Sequence, residues 1–281
     1  MSAAPAGRQL EQGAGGVRGA KCFDASRARL VFLREPATAD FWDAQWLRQA
    51  ERDHGTASPR RGTLVTRTTA RHLPRGARIL EGGCGTGVNS RCLLAAGYRV
   101  TALDFAPGTI AWLGQRAPQI NPVLGDVRAL PFANGSFDGY WSLGVIEHFF
   151  EGYAAARDEM RRVLRPGGML FLTYPYLNPL RRARLRSGKY PPWDEAQRER
   201  FYQCALDHRR VAAEFAAAGF VLVEQRPHLG LSGAEDLWPR LERPFGRLRA
   251  GGRLARWGGA ALNALLEPFT SHLMLLVLRR T

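Results

Sequence analysis

Between Ile79 and Gly87 the chain reads Ile-Leu-Glu-Gly-Gly-Cys-Gly-Thr-Gly, and this segment constrains the fold more than any other. A short apolar run, Arg78-Ile79-Leu80, ends in an acid and passes straight into alternating glycines. Gly83, Gly85 and Gly87 let the backbone turn sharply and approach a ligand closely. The apolar periodicity that follows predicts a helix from Gly87 to Ala96, whose N-terminus presents N–H groups and a positive dipole end. A strand, a glycine turn and a helix in that order are the opening of a nucleotide-type α/β fold. The spacing is not the dinucleotide G-x-G-x-x-G: counted from Gly83 the last position is Val88, and counted from Gly85 it is Ser90.

Downstream, strands and helices alternate. Strands are expected at Tyr98 to Leu103, from Pro122 to Leu124, at Phe137 to Leu143 and at Met169 to Tyr174. Helices are expected at Pro107 to Arg116, where the early proline costs no hydrogen bond, and at Tyr153 to Leu164. This alternation means βαβ units and a parallel sheet. Helices at Phe41 to Asp53 and Arg61 to Leu73 precede the core. After a break come a helix from His208 to Ala218, a strand from Phe220 to Gln225 and a closing strand from His272 to Leu278. Two stretches show no clean period, about 175–207 and about 227–267. The Ala/Gly/Gln-rich start, residues 1–24, reads as a disordered tail ahead of one domain over 25–281.

The acids recur at strand ends. Asp104 closes Val100-Thr101-Ala102-Leu103-Asp104, and Asp126 follows the third strand in Gly125-Asp126-Val127. Then come Ser142-Leu143-Gly144-Val145-Ile146-Glu147-His148 and the turn Arg165-Pro166-Gly167-Gly168. Glu81-x-Gly-x-Gly-x-Gly and these motifs, in this order, resemble the class I S-adenosylmethionine (SAM)-dependent methyltransferases, in particular their "type 11" small-molecule group. The resemblance covers about Arg78 to Tyr174.

It implies a Rossmann-like α/β fold, a seven-stranded, mostly parallel sheet with an antiparallel last strand and helices on both faces. It implies SAM as cofactor, held by Glu81, Gly83, Cys84, Gly85, Gly87, Asp104, Phe105, Asp126, Val127 and Leu143. Asp104 would accept the ribose hydroxyls, and Asp126 with Val127 would meet the adenine. SAM carries an ammonium and a sulfonium, so acids beside the loop suit it. Each acid also has a plainer reading, as a solvated strand end or a turn cap. Asp138 begins its strand at the end away from any ligand and is expected to be structural.

The acceptor side is less determined. His148, just after the fourth strand, is the candidate catalytic base if the acceptor is a hydroxyl, or it shapes the pocket. The Asn/Asp-Pro-Pro-aromatic motif of nucleobase amino-methyltransferases is absent after the fourth strand, which argues against amino methylation of a nucleobase and makes a nucleic-acid partner the lesser expectation. Arg181, Arg182, Arg184, Arg186, Lys189, Tyr190 and Trp193 read as a basic aromatic lid over a small, anionic or aromatic acceptor, or as a solvated loop. Leu254, Trp257, Ala261, Leu262, Leu265 and Leu266 recur at helical spacing among arginines, which fits peripheral membrane contact or a helix packed inward.

The net charge is +15, and only Lys21 and Lys189 are lysines. Such a balance suits an anionic partner, an RNA included, and equally the codon usage of a GC-rich genome. The four cysteines, Cys22, Cys84, Cys92 and Cys204, form no C-x-x-C pair and no zinc pattern, so reduced thiols in a cytoplasmic protein and no metal are expected. A methyltransferase acting on an O or N of a small molecule is the expected function. An RNA methyltransferase and a module that binds SAM without catalysis are the alternatives.

Overall fold

Every apolar run read as a strand between Arg78 and Tyr174 is one in the computed structural model, which describes residues 19–52 and 62–281. In chain order the elements are β1 (Lys21–Asp24), β2 (Arg29–Leu33), α1 (Ala39–Arg52), α2 (Leu64–His72), β3 (Arg78–Gly82), α3 (Val88–Ala95), β4 (Arg99–Asp104), α4 (Pro107–Arg116) and β5 (Pro122–Leu124). They continue with β6 (Phe137–Leu143), α5 (Ala154–Val163), β7 (Leu164–Pro175), α6 (Pro179–Arg186), β8 (Phe201–Ala205), α7 (His208–Ala217) and β9 (Phe220–His228). Last come α8 (Gly230–Leu237), α9 (Glu242–Ala250), α10 (Arg253–Thr270) and β10 (Leu273–Arg280).

The main sheet has seven strands in the order β5-β4-β3-β6-β7-β10-β9. The pairs β3–β4, β3–β6, β4–β5 and β6–β7 are parallel, and the C-terminal strand runs antiparallel. The chain reverses direction of winding at β3, whose neighbours are β4 and β6. An open α/β sheet gathers ligands at the carboxyl ends of its strands beside such a switch point. β3 is buried from Ile79 onward, so its acid, Glu81, is carried into the interior by the strand itself.

The Arg-Pro-Gly-Gly turn sits inside β7 rather than before it. Phe137 pairs with Leu164 and Gly139 with Met169, so the extra residues loop out of the ladder and the strand resumes. Gly167, with φ +75°, makes that excursion sterically cheap.

The described residues form two compact units. One comprises residues 36–173, 212–224 and 276–281; the other comprises residues up to 35, 174–211 and 225–275. The second corrects three expectations. Residues 21–24 are a strand, not tail, because Cys22 and Asp24 turn inward and the strand pairs antiparallel with β2, Asp24 opposite Arg29. The Asp24 carboxylate closes that hairpin by accepting from Ser26 Oγ at 2.6 Å and Arg29 Nε at 3.1 Å. Residues 1–18 lie outside the described residues, as does Arg61. The two stretches without period are not structureless either. The first contains α6 and β8, and β8 pairs with β2 to complete a three-stranded sheet. The second is three helices, with Leu231, Ala234, Phe245, Trp238, Leu262 and Leu266 in one apolar cluster.

Candidate active site at the β3 glycine turn

The site grows out of the unit that holds residues 36–173. Gly83, Gly85 and Gly87 all have positive φ, at +77°, +50° and +67°, which L side chains adopt at a cost. Space matters as much as torsion. A methyl group at Gly83 would lie 2.5 Å from Val145 Cγ2, and one at Gly85 would lie 2.9 Å from the Trp46 ring. Gly87 is the N-cap of α3 and would meet Ile120 and Leu113. The turn therefore stays bare backbone on all three counts.

Two carboxylates lie under and beside this turn. Asp104, at the end of β4, accepts from Gly85 N at 2.8 Å through one oxygen and from Ala106 N at 3.0 Å through the other. It is 4% exposed, and burial raises its pKa. Glu81 is 1% exposed and accepts from Ser90 Oγ in the first turn of α3. Burial pushes its pKa up to about 7. Neither acid has a cationic partner among the described residues. An uncompensated buried carboxylate is costly, so this pair makes a pocket of negative field that favours a bound cation.

The loop N–H groups are less free than the motif suggested. Gly83 N and Cys84 N both donate to Leu103 O, at 2.8 and 3.0 Å, and Gly87 N donates to Cys84 O. The backbone is thus held by β4 rather than left open to a ligand. Cys84 takes part in the turn through its backbone. Its side chain packs with Leu113, Ala117 and Ile120 in the core, so only its backbone reaches the turn.

The remaining expected residues divide. Phe105, directly after Asp104, is 41% exposed. Val127 is buried, and its Cγ1 is 3.0 Å from where a methyl on Gly82 would stand, which ties the loop after β5 to the end of β3. Leu143 is half-buried at the end of β6. Asp126 is engaged: Arg128 Nη2 lies 2.6 Å from its carboxylate and holds its pKa below the ordinary range. His148 is half-buried in a short 3₁₀ turn, with the Trp42 ring edge-on at 5.1 Å. Asp138 accepts from Arg78 N at 2.7 Å and pairs with Arg165, a structural link at the amino end of the sheet. Among the described residues no cluster could hold a metal.

Sequence reasoning placed a helix over α1 but missed what its side chains bring to the site. Asp43 accepts from Gly108 N at 2.9 Å and Thr109 N at 2.6 Å, and so caps α4 directly after Asp104. Trp42 and Trp46 stack at 5.1 Å, one against His148 and the other against Gly85. The signal was present: α4 has no acid in its own first turn, and α1 carries an acid between tryptophans one turn apart. The buried hydroxyls of Tyr140 and Ser142, both on β6, also have no hydrogen-bond partner among the described residues. The hollow lined by Thr66, Leu73, Ala95 and Tyr98 lies at the opposite, amino end of the strands and carries no acid.

The family model described as "Methyltransferase domain" matches residues 80–172, the stretch that builds this turn. Residues 80–172 are thus similar to the methyltransferase-domain family. The chain is 38% identical over 98 residues to a malonyl-[acyl-carrier protein] O-methyltransferase of Serratia marcescens, covering 35% of this chain and 38% of that protein. It is 38% identical over 109 residues to a demethylmenaquinone methyltransferase of Renibacterium salmoninarum, covering 38% and 46%. The chain thus spans less than half the length of these curated relatives. The fold is shared with the 1,6-didemethyltoxoflavin-N1-methyltransferase of Burkholderia thailandensis, at TM-score 0.51 and 19% identity over 94% of this chain and 100% of that one. It is also shared with the [4+2]-cyclase SpnF, at TM-score 0.55 and 17% identity over 88% and 97%. The match ends at residue 172, where β7 nears the end of its run beside β6.

Proposed function

We propose that the chain transfers a methyl group from SAM to an oxygen or nitrogen of a small-molecule acceptor, a secondary metabolite, sugar or lipid-linked intermediate. The observation that carries this reading is the pair of buried acids, Glu81 and Asp104, at a bare glycine turn, with no cationic partner among the described residues. When bound, SAM supplies an electrophilic methyl on a positively charged sulfur. Asp104 keeps lone pairs beyond its two backbone bonds and would hold the ribose hydroxyls. Phe105, Val127 and Leu143 would pack on the nucleoside. Asp126 would bind the adenine amino group in place of Arg128. Glu81 acts from beneath the turn through its charge.

Methyl transfer needs alignment of nucleophile, methyl and leaving group above all. His148, neutral near pH 7, would take the proton from an acceptor hydroxyl, with Trp42 fixing its ring. The acceptors named for the relatives, malonyl-[acyl-carrier protein] and demethylmenaquinone, support a small acceptor and include an oxygen nucleophile by name. The +15 charge supports RNA as a second reading. Calorimetry with SAM comes first, and absence of binding rejects the proposal. Incubation with methyl-tritiated SAM and a panel of carboxylic, phenolic and amine acceptors should then place label in an extractable small molecule. Label in RNA, with binding that falls steeply with salt, would select the second reading. Because the [4+2]-cyclase SpnF shares this fold, SAM binding with no transferred label on any acceptor counts against methyl transfer.

A further inference from the structure

The helix α10 is apolar on two sides. Its inner side, with Leu262 and Leu266, packs against α8 and α9. Asn263 Oδ1 accepts from Leu231 N at 3.0 Å, and Thr270 Oγ1 donates to Gly230 O at 2.8 Å, so that side is locked in register. Gly230 and Gly233 let the helices approach so closely that a methyl at Gly233 would fall 1.5 Å from Thr270 O. The outer side is the unusual one. Leu254, Trp257, Leu265 and Phe269 are 90%, 77%, 69% and 60% exposed. With exposed Ala261 between them they recur three, four, four and four residues apart, a continuous stripe along a helix about 27 Å long. Scattered apolar residues on a surface are ordinary, but an unbroken stripe with two large aromatics is a binding face.

The neighbouring sequence says what the face binds. Between residues 239 and 257 there are six arginines, at 240, 243, 247, 249, 253 and 256, against one acid, Glu242. The side chains of Arg240, Arg243 and Arg247 are exposed. No described helix is long and apolar enough to cross a membrane, so α10 can only lie along one. We infer that the outer face of α10 docks on an anionic lipid surface. Trp257, Leu254, Leu265 and Phe269 enter the acyl boundary, and the arginine-rich segment before them neutralises headgroup phosphates. A second copy of the chain is the poorer occupant, since it brings another segment of the same sign toward an already cationic one, whereas phosphate removes the repulsion.

The test uses the whole chain with vesicles of phosphatidylcholine alone and of phosphatidylcholine with phosphatidylglycerol, separated by centrifugation. Wild type should sediment with the anionic vesicles at least about tenfold more strongly than with the neutral ones, and high salt should weaken this. The double variant Trp257→Glu, Leu265→Glu should lose binding by at least about tenfold. Both side chains are exposed, so its circular dichroism and thermal midpoint should match wild type. The pair Arg243→Glu, Arg247→Glu should lose the preference for anionic lipid while keeping the apolar stripe. Three results would overturn the inference: wild type that binds neither vesicle, vesicle binding that ignores the Trp257 and Leu265 changes, or a concentration-dependent dimer that the same double variant dissociates.

Discussion

The two units bury charge in opposite ways. In the unit with the glycine turn, Glu81 and Asp104 are buried as acids without a base. In the other unit, Asp236 is buried as well, but Arg181 Nη2 and Lys21 Nζ each lie 2.7 Å from it. His272 completes that cluster with Nδ1 3.0 Å from Arg181 Nη2. Burial holds His272 neutral, its pKa lowered to about 3. Desolvation of a charge is repaid only by close partners. The second cluster is self-contained and serves structure: it joins β1, α6, α8 and the residue before β10. The first has no cationic partner among the described residues and so leaves room for a cation that is not one of them. Buried charge by itself therefore does not mark a site. Buried charge without a partner does.

The largest expected effect tests the self-contained cluster. Asp236→Ala leaves the buried Arg181 and the half-buried Lys21 without their counter-charge, and should cost about 3–5 kcal/mol in denaturant unfolding. A loss below about 1 kcal/mol would mean that these charges reach water, and the contrast would fail.

The next effect separates the two clusters by pH. Glu81 and Glu147 are both raised by burial, to about 7 and about 8. The folded chain then holds protons that the unfolded chain releases above about pH 4.5, so stability is greatest at low pH and falls as pH rises through 7 to 8. For Glu81 alone the loss is at most about 3 kcal/mol. His272 and Asp236 work the other way. Each binds a proton less readily folded than unfolded, so their stabilisation is lost as pH falls, below about 6.5 for His272 and below about 4 for Asp236. Urea midpoints between pH 5 and 8 should fall less with rising pH in Glu81→Gln than in wild type. A variant with the wild-type slope would show that Glu81 is already charged near neutrality and paired.

These comparisons also show what the sequence could reveal. The βαβ rhythm, the three glycines and the strand-end acids follow from local spacing, and β3 to β7 stand where the pattern put them. The role of Asp138 followed from strand direction alone. The hairpin of β1 and β2 escaped because its partner, β8, is about 170 residues away and no turn of the strong Asn-Gly type joins the strands. The Asp24 side chain shapes that turn instead. Asp43 and Trp46 escaped for a related reason: they act on Gly108 and Gly85 through tertiary contact, and a helix read alone shows only that it has an apolar face. The core position of Cys84 and the pairing of Asp126 with Arg128 were likewise invisible to motif matching, which fixes backbone order and not side-chain direction.

A smaller effect sharpens the ligand side. Asp104→Ala should weaken SAM binding by about 1–3 kcal/mol, the usual cost of stranding the partners of a buried polar group. Calorimetry reads it directly, and unchanged affinity would remove Asp104 from the ribose. If the acids act by field rather than by contact alone, Glu81→Gln should weaken SAM less than Asp104→Ala does, because the Glu81 carboxylate bonds Ser90 inside the fold.

The smallest effect concerns Tyr140. Its hydroxyl is buried without a partner and occupies the space a side chain on Gly82 would need. Burial raises its pKa, so it stays protonated at any working pH. An unpaired buried hydroxyl costs stability, and removing it relieves that cost without opening a cavity of any size. Tyr140→Phe should leave stability unchanged or raise it by about 1 kcal/mol at most, with SAM affinity unaltered. If affinity falls instead, the hydroxyl belongs with Glu81 and Asp104 as a group waiting for the cofactor, and the incomplete cluster is larger by one member.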